Sequence, residues 1–76
     1  MTNRPLSTIA QEVISDWTKV NFAAAPYLEA MSSMDSPRDN FGYDSGQSIV
    51  RYFLSNATTW RGDVARRIKK ELKAMI

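Results

Sequence analysis

The chain has 76 residues, with 10 Lys and Arg against 8 Asp and Glu, a formal net charge of +2, and neither cysteine nor histidine. A chain of this length is a single domain. The two missing residue types exclude disulfides, zinc fingers, iron–sulfur clusters and thiol catalysis, together with histidine-based triads, imidazole relays and nearly all zinc enzymes.

Hydrophobic residues make up 43% and aromatics 11% of the chain, enough for a compact core. A domain this short buries only about 60% of the surface its unfolded chain exposes, so marginal stability is expected. A partner or self-association would complete the burial. The start, Met1-Thr2-Asn3-Arg4-Pro5, leads into polar sequence and predicts no signal peptide. No apolar run approaches the ~18 residues of a membrane span. A cytoplasmic setting, with no membrane partner, is the expectation, and the absence of cysteine fits a reducing compartment.

The modest net charge hides an asymmetry. Residues 1–44 carry three basic and six acidic side chains, a net of −3, whereas residues 45–76 carry seven basic and two acidic, a net of +5. A dipolar chain of this kind favours electrostatic docking and self-pairing, with an acidic first helix meeting a basic last one, so a homodimer is one expectation.

In chain order, residues 1–6 read as a flexible arm ahead of a single helical domain over 7–76. Ser7 is placed to cap a first helix reaching about Val20. Ile9, Val13, Trp17 and Val20, with Ala10 and Ile14 beside them, recur at helical spacing, and Gln11, Glu12, Ser15, Thr18 and Lys19 fall on the other side. Asn21 interrupts this pattern and is placed to cap the next segment. A second helix is predicted from Phe22 to about Met34, with Pro26 tolerated only in its first turn and Tyr27, Leu28, Met31 and Met34 as its apolar positions. Ser36-Pro37-Arg38-Asp39 predicts a short helical turn that stops near Gly42. Asp44, with Gln47 three residues on, reads as the capping box of a third helix. Its interior, Ile49 to Leu54, is apolar over much of its circumference and predicts the central, most buried element. After Asn56-Ala57-Thr58-Thr59, with Thr58 or Thr59 as cap, a fourth helix is predicted from Trp60 to Met75. Its apolar stripe is Trp60, Val64, Ile68, Leu72 and Met75, with Ala65 alongside. No strand-type alternation and no repeat is visible. The fold expected is all-α, a compact bundle of three to four short helices.

Two surfaces are candidates for binding. The first is the basic face of the last helix, where Arg61, Arg66, Lys69, Lys70 and Lys73 share an arc opposite the apolar stripe. Such an arc suits phosphate contacts. Asp63 and Glu71 intrude on its edges, spaced to pair with Arg67. The bland alternative is a solvated helix face. The second is aromatic: Phe41 and Tyr43 flank Gly42 on a loop, and Trp60 stands at a helix start. These are either interface anchors or a lid folded over the core.

Catalytic and metal readings are poorer. Glu12 and Asp16 lie one turn apart, a spacing open to acid–base or metal chemistry but better read as a solvated acidic face. Asp35, Asp39 and Asp44 lack the spacing of a calcium loop. Arg61-Gly62-Asp63 matches the integrin tripeptide by coincidence, and glycines at 42, 46 and 62 are too scattered to cradle a nucleotide. No cofactor, no metal and no catalytic residue is expected.

Tyr43-Asp44-Ser45-Gly46, Ser48-Ile49-Val50 and Tyr52-Phe53-Leu54, together with Thr59-Trp60-Arg61-Gly62-Asp63, Ala65-Arg66-Arg67-Ile68-Lys69 and Glu71-Leu72-Lys73, resemble small open reading frames of bacteriophages and mobile elements. Ala25-Pro26-Tyr27-Leu28 is similar in style. The resemblance implies a setting, expression inside a bacterial host cell, and brings no activity with it. By analogy with small phage accessory proteins, the expectation is a non-enzymatic binding protein acting through protein–protein contacts with a host or defence factor. The alternative is a nucleic-acid-binding module using the basic last helix.

Overall fold

The computed structural model describes residues 4–76. The first three residues of the expected arm lie outside the described residues, and the rest of that arm is docked. Leu6 is fully buried and begins helix α1 (Leu6–Asp16). Ser7 is therefore inside the helix and not its cap. The first N–H groups are satisfied instead by the segment that follows the second helix: Leu6 N–H donates to the Asp35 carbonyl at 3.0 Å and Ser7 N–H to that of Met34 at 2.8 Å. This meets the helix-terminus requirement without a side-chain cap. The helix ends four residues before Val20, because Trp17 leaves helical geometry (φ −92°, ψ 84°) and turns its ring into an aromatic cluster.

Asn21 does not cap the second helix, whose N-cap is Ala24 without a side-chain bond; it closes a separate turn ahead of it. Its carbonyl accepts from the Ala24 and Ala25 N–H groups, and its side-chain oxygen accepts from Ala23 N–H. This separate turn delays α2 to Ala25–Ser32, with Pro26 in the first turn, where it displaces no helical hydrogen bond. Leu28, Ala30 and Met31 face the core, and Met34 is buried just beyond.

Ser36–Asp39 closes one turn, Asp39 N–H on the Ser36 carbonyl at 3.0 Å and Arg38 N–H on Ser36 Oγ at 3.1 Å, but where it was expected to run on toward Gly42 a β-hairpin begins instead. Strand β1 (Asn40–Phe41) pairs antiparallel with β2 (Asp44–Ser45), Asn40 opposite Ser45 and Phe41 opposite Asp44. Gly42 supplies the positive φ (+65°) at the first of two loop residues, the position a two-residue hairpin turn reserves for glycine. The strands are too short for alternation to show in the sequence.

Helix α3 (Gly46–Ser55) is capped by Ser45, whose Oγ accepts from Ser48 N–H at 3.1 Å; the cap is one residue later than the expected Asp44. Ile49, Val50 and Phe53 are buried. Gly46 is wedged against the preceding turn: a Cβ there would stand 2.8 Å from both Pro37 Cα and the Pro37 carbonyl oxygen. Helix α4 (Asp63–Lys73) begins three residues after Trp60. Trp60 N–H closes a turn onto the Ala57 carbonyl, and Gly62 takes the positive φ (+116°) that admits the chain to the helix.

The fold is an all-α bundle of four short helices carrying one small hairpin. Helix α1 packs against both α2 and α4, and α3 packs against α2. Helix α3 buries Gly46, Ile49, Val50 and Phe53, in keeping with its apolar composition, and Phe53 is the largest fully buried side chain. Trp17 stacks on Trp60 with ring centroids 5.8 Å apart, and Phe53 meets both edge-on at 6.4 Å. That triad ties α1, α3 and the α3–α4 turn together. Among the described residues no helix is long and apolar enough to cross a membrane.

Candidate functional site

The hairpin presents the most exposed large apolar side chains of the α2–α3 connection. Tyr43 is fully exposed at its tip and Phe41 is 46% exposed. Its base is fixed. Gly46 N–H donates to the Asp39 carbonyl at 2.6 Å, Gln47 N–H to the Pro37 carbonyl at 2.9 Å, and the Asp39 carboxylate accepts from the Asp35 and Ser36 N–H groups. The two rings are held out in solvent on a braced support, not folded over the core as a lid.

Trp60 does not join them. It is 2% exposed, and its indole N–H donates to Asp16 Oδ2 at 2.8 Å. A buried tryptophan needs such a partner. Two further exposed aromatics escaped the sequence reading. Phe22 is 89% exposed in the α1–α2 turn, and Tyr52 is half-exposed on α3 against Tyr27, with ring centroids 5.3 Å apart. The interruption of helical spacing at Asn21 was the available signal for Phe22. Nothing in the spacing marked Tyr52.

The basic arc of α4 is thinner than its five members suggest. Arg66 pairs with Asp63 one turn back. Lys69 turns inward, donating to the Trp60 carbonyl at 2.6 Å with its ammonium 5.9 Å from the Trp60 ring centroid. Its pKa lies below the ordinary lysine value, first because burial disfavours the charge and then because Lys73 and Arg61 stand near. Arg61, Lys70 and Lys73 are exposed and have no ion-pair partner among the described residues.

Arg67 pairs with neither Asp63 nor Glu71. It bonds Glu12 on α1. Arg4 grips Glu71 with two nitrogens, at 2.9 and 2.7 Å, and reaches Glu12 with the third, at 2.9 Å. Glu12 is held below the usual carboxylate range by Arg67 and then Arg4, and Glu71 by Arg4; the Arg4 guanidinium is pushed up in turn. The two carboxylates that invited an acid–base or metal reading, Glu12 and Asp16, are thus both committed to structural partners. Asp35, Asp39 and Asp44 do not converge: no group of three potential metal ligands forms among the described residues.

Two open depressions flank Pro37 and Arg38, one lined by Arg4, Asp35 and Ser36, the other by Ser45, Gln47 and Met75. Among the described residues no buried side-chain polar atom lacks a hydrogen-bond partner, so neither depression holds an orphaned group aimed at a ligand. Comparison with protein-family models, with curated proteins and with solved structures finds no match.

Proposed function

We propose that this chain is a small non-enzymatic binding protein that works through protein–protein contacts, with the hairpin carrying Phe41 and Tyr43 as its contact surface. The observation that carries this reading is the full exposure of Tyr43 on a hairpin whose base is fixed by hydrogen bonds. A braced backbone brings the exposed ring to a set place, so less of the chain has to be ordered on binding, which suits an interface anchor. The non-enzymatic part is supported by the structural employment of Glu12 and Asp16. The resemblance to phage and mobile-element reading frames implies a bacterial cytoplasm as the setting and a host or defence protein as the partner.

A second reading, binding to nucleic acid, is favoured by Arg61, Lys70 and Lys73, which are exposed and have no ion-pair partner among the described residues. It is weakened by the inward-turned Lys69 and by Asp63, the carboxylate that stands beside Arg66 at the surface. Three phosphate contacts would give a salt slope of only about −3.

The test is capture from bacterial lysate, with and without nuclease, by three baits: wild type, Phe41→Ser with Tyr43→Ser, and Arg61→Glu with Lys70→Glu and Lys73→Glu. A defined protein band that survives nuclease and is lost with the hairpin variant is the expected result. Nucleic acid recovered by wild type and lost only with the charge-reversed bait would overturn it in favour of the second reading.

A further inference from the structure

Helices α1, α2 and α3 are stitched to one another through the backbone. The Leu6 and Ser7 N–H groups donate to the Asp35 and Met34 carbonyls beyond α2, and Gln47 N–H at the start of α3 donates to the Pro37 carbonyl in the same connection. Helix α4 is attached differently. Among the described residues no backbone hydrogen bond joins it to another helix or to the hairpin; its bonds run within the helix and back to Gly62. Side chains hold it instead. Ala65, Ile68 and Leu72 are buried, and α1 is its principal packed neighbour. Arg67 bonds Glu12, and Arg4 grips Glu71.

The joint ahead of α4 suits a hinge. Trp60 is fixed by its bonds to Asp16 and to the Ala57 carbonyl. Arg61, Gly62 and Asp63 follow, all exposed, and beyond its chain neighbours no atom stands within 4 Å of the place a Cβ on Gly62 would take. A glycine in open space changes its φ and ψ without a clash. Lys69 Nζ donates across the joint to the Trp60 carbonyl at 2.6 Å, a bond from a long side chain that swings with its helix. The Arg67 and Glu71 ion pairs lie further along α4, where they restrain rotation about the joint.

We infer that α4 is a hinged flap: it swings away about Arg61–Asp63 as a unit while α1, α2 and α3 stay folded, and the Arg4–Glu71 and Arg67–Glu12 pairs are the latch that holds it closed. Elements with fewer ties open in this way below the free energy of global unfolding. The open flap bares Ala65, Ile68 and Leu72, an apolar stripe that the closed chain does not offer. The latch side chains are partly exposed, so salt weakens them. Opening does not involve the hairpin and holds whether or not Tyr43 anchors a partner.

The test is native-state hydrogen exchange, read residue by residue, on wild type, Arg4→Gln and Ser45→Ala. Circular dichroism checks that each variant is folded, and Arg67→Gln, which removes the other pair, serves where Arg4→Gln is not. In wild type the amides from Ile68 to Leu72 are expected to exchange several-fold faster, relative to the unstructured chain, than those of Val50 and Phe53 in α3. Arg4→Gln weakens the latch and is expected to raise exchange in α4 about fivefold, the loss of one or two surface ion pairs. High salt acts in the same direction. Ser45→Ala weakens the α3 cap, which stays intact when the flap opens, so it raises exchange at Phe53 and leaves α4 unchanged. An α4 that exchanges no faster than α3 overturns the inference. So does a Ser45→Ala variant that quickens both alike, since α4 then opens only with the whole chain. An α4 rate that the latch variants leave unchanged overturns it as well, because the pairs would then hold nothing shut.

Discussion

The indole N–H of Trp60 donates to the carboxylate of Asp16, 44 positions earlier, at 2.8 Å, and so fixes the ring that stacks on Trp17. One exposed acid therefore decides whether a 2%-exposed tryptophan keeps its donor satisfied. Replacing Asp16 by Ala strands that N–H, at a cost of about 1–3 kcal/mol, whereas Asp16→Asn keeps an acceptor oxygen in place and costs about half as much. Chemical denaturation followed by tryptophan fluorescence measures both. Equal losses for the two variants would mean that the hydrogen bond does not hold the stack.

The Arg4 network predicts acid sensitivity. Glu12 and Glu71 titrate lower in the folded chain than the ordinary glutamate value, because Arg67 and Arg4 bond their charged forms. With folded pKa values below unfolded ones, the unfolded state binds protons first as pH falls. The stabilisation is then fully present above the unfolded glutamate value of about 4.3 and is lost as pH drops through the folded values. The melting temperature is expected to be flat from neutrality to about pH 5 and to fall below it. Arg4→Gln should lower the plateau slightly and flatten the acid limb, and a limb of unchanged steepness would show that other carboxylates set it.

The same residues show what the sequence discloses and what it hides. The helices and their buried faces are legible because Ile9 and Val13, or Ile68 and Leu72, recur at the helical period that the core itself imposes. Helix ends are not, since they depend on distant groups. Helix α1 starts where the Asp35 and Met34 carbonyls receive its N–H groups and stops where Trp17 is drawn to Trp60. Local spacing offered Asp63 and Glu71 to Arg67, yet its partner Glu12 lies 55 positions away. Phe41 and Tyr43 were legible as candidates through the glycine between them. The choice between anchor and lid waited on a hairpin whose two-residue strands leave no periodic trace. Trp60 was the reverse case, a conspicuous aromatic whose burial depends on an acid in another helix.

Close packing at Gly46 gives a prediction independent of charge. Its missing Cβ is the space occupied by Pro37, whose backbone would lie 2.8 Å from an added methyl. Gly46→Ala must push the α2–hairpin turn off α3, at about 1–3 kcal/mol. Gly42→Ala meets no neighbour and bears only the strain of its φ of +65°, at about 1 kcal/mol. Thermal unfolding of the pair should rank Gly46→Ala as the more damaging. The opposite order would place the constraint in the turn and not in the packing.

The start of α3 separates two neighbouring residues that the sequence alone confuses. Asp44 with Gln47 three residues on fits a capping box, but the oxygen that receives Ser48 N–H belongs to Ser45, while Asp44 opens strand β2. Removing a serine cap costs about 1 kcal/mol, because one helix N–H is left to water alone. Ser45→Ala is therefore expected to lower stability by that amount, and Asp44→Ala by no more than a few tenths. Urea titration of the two variants resolves the difference through their midpoints at constant slope. A loss at Asp44 equal to that at Ser45 would move the cap back by one residue.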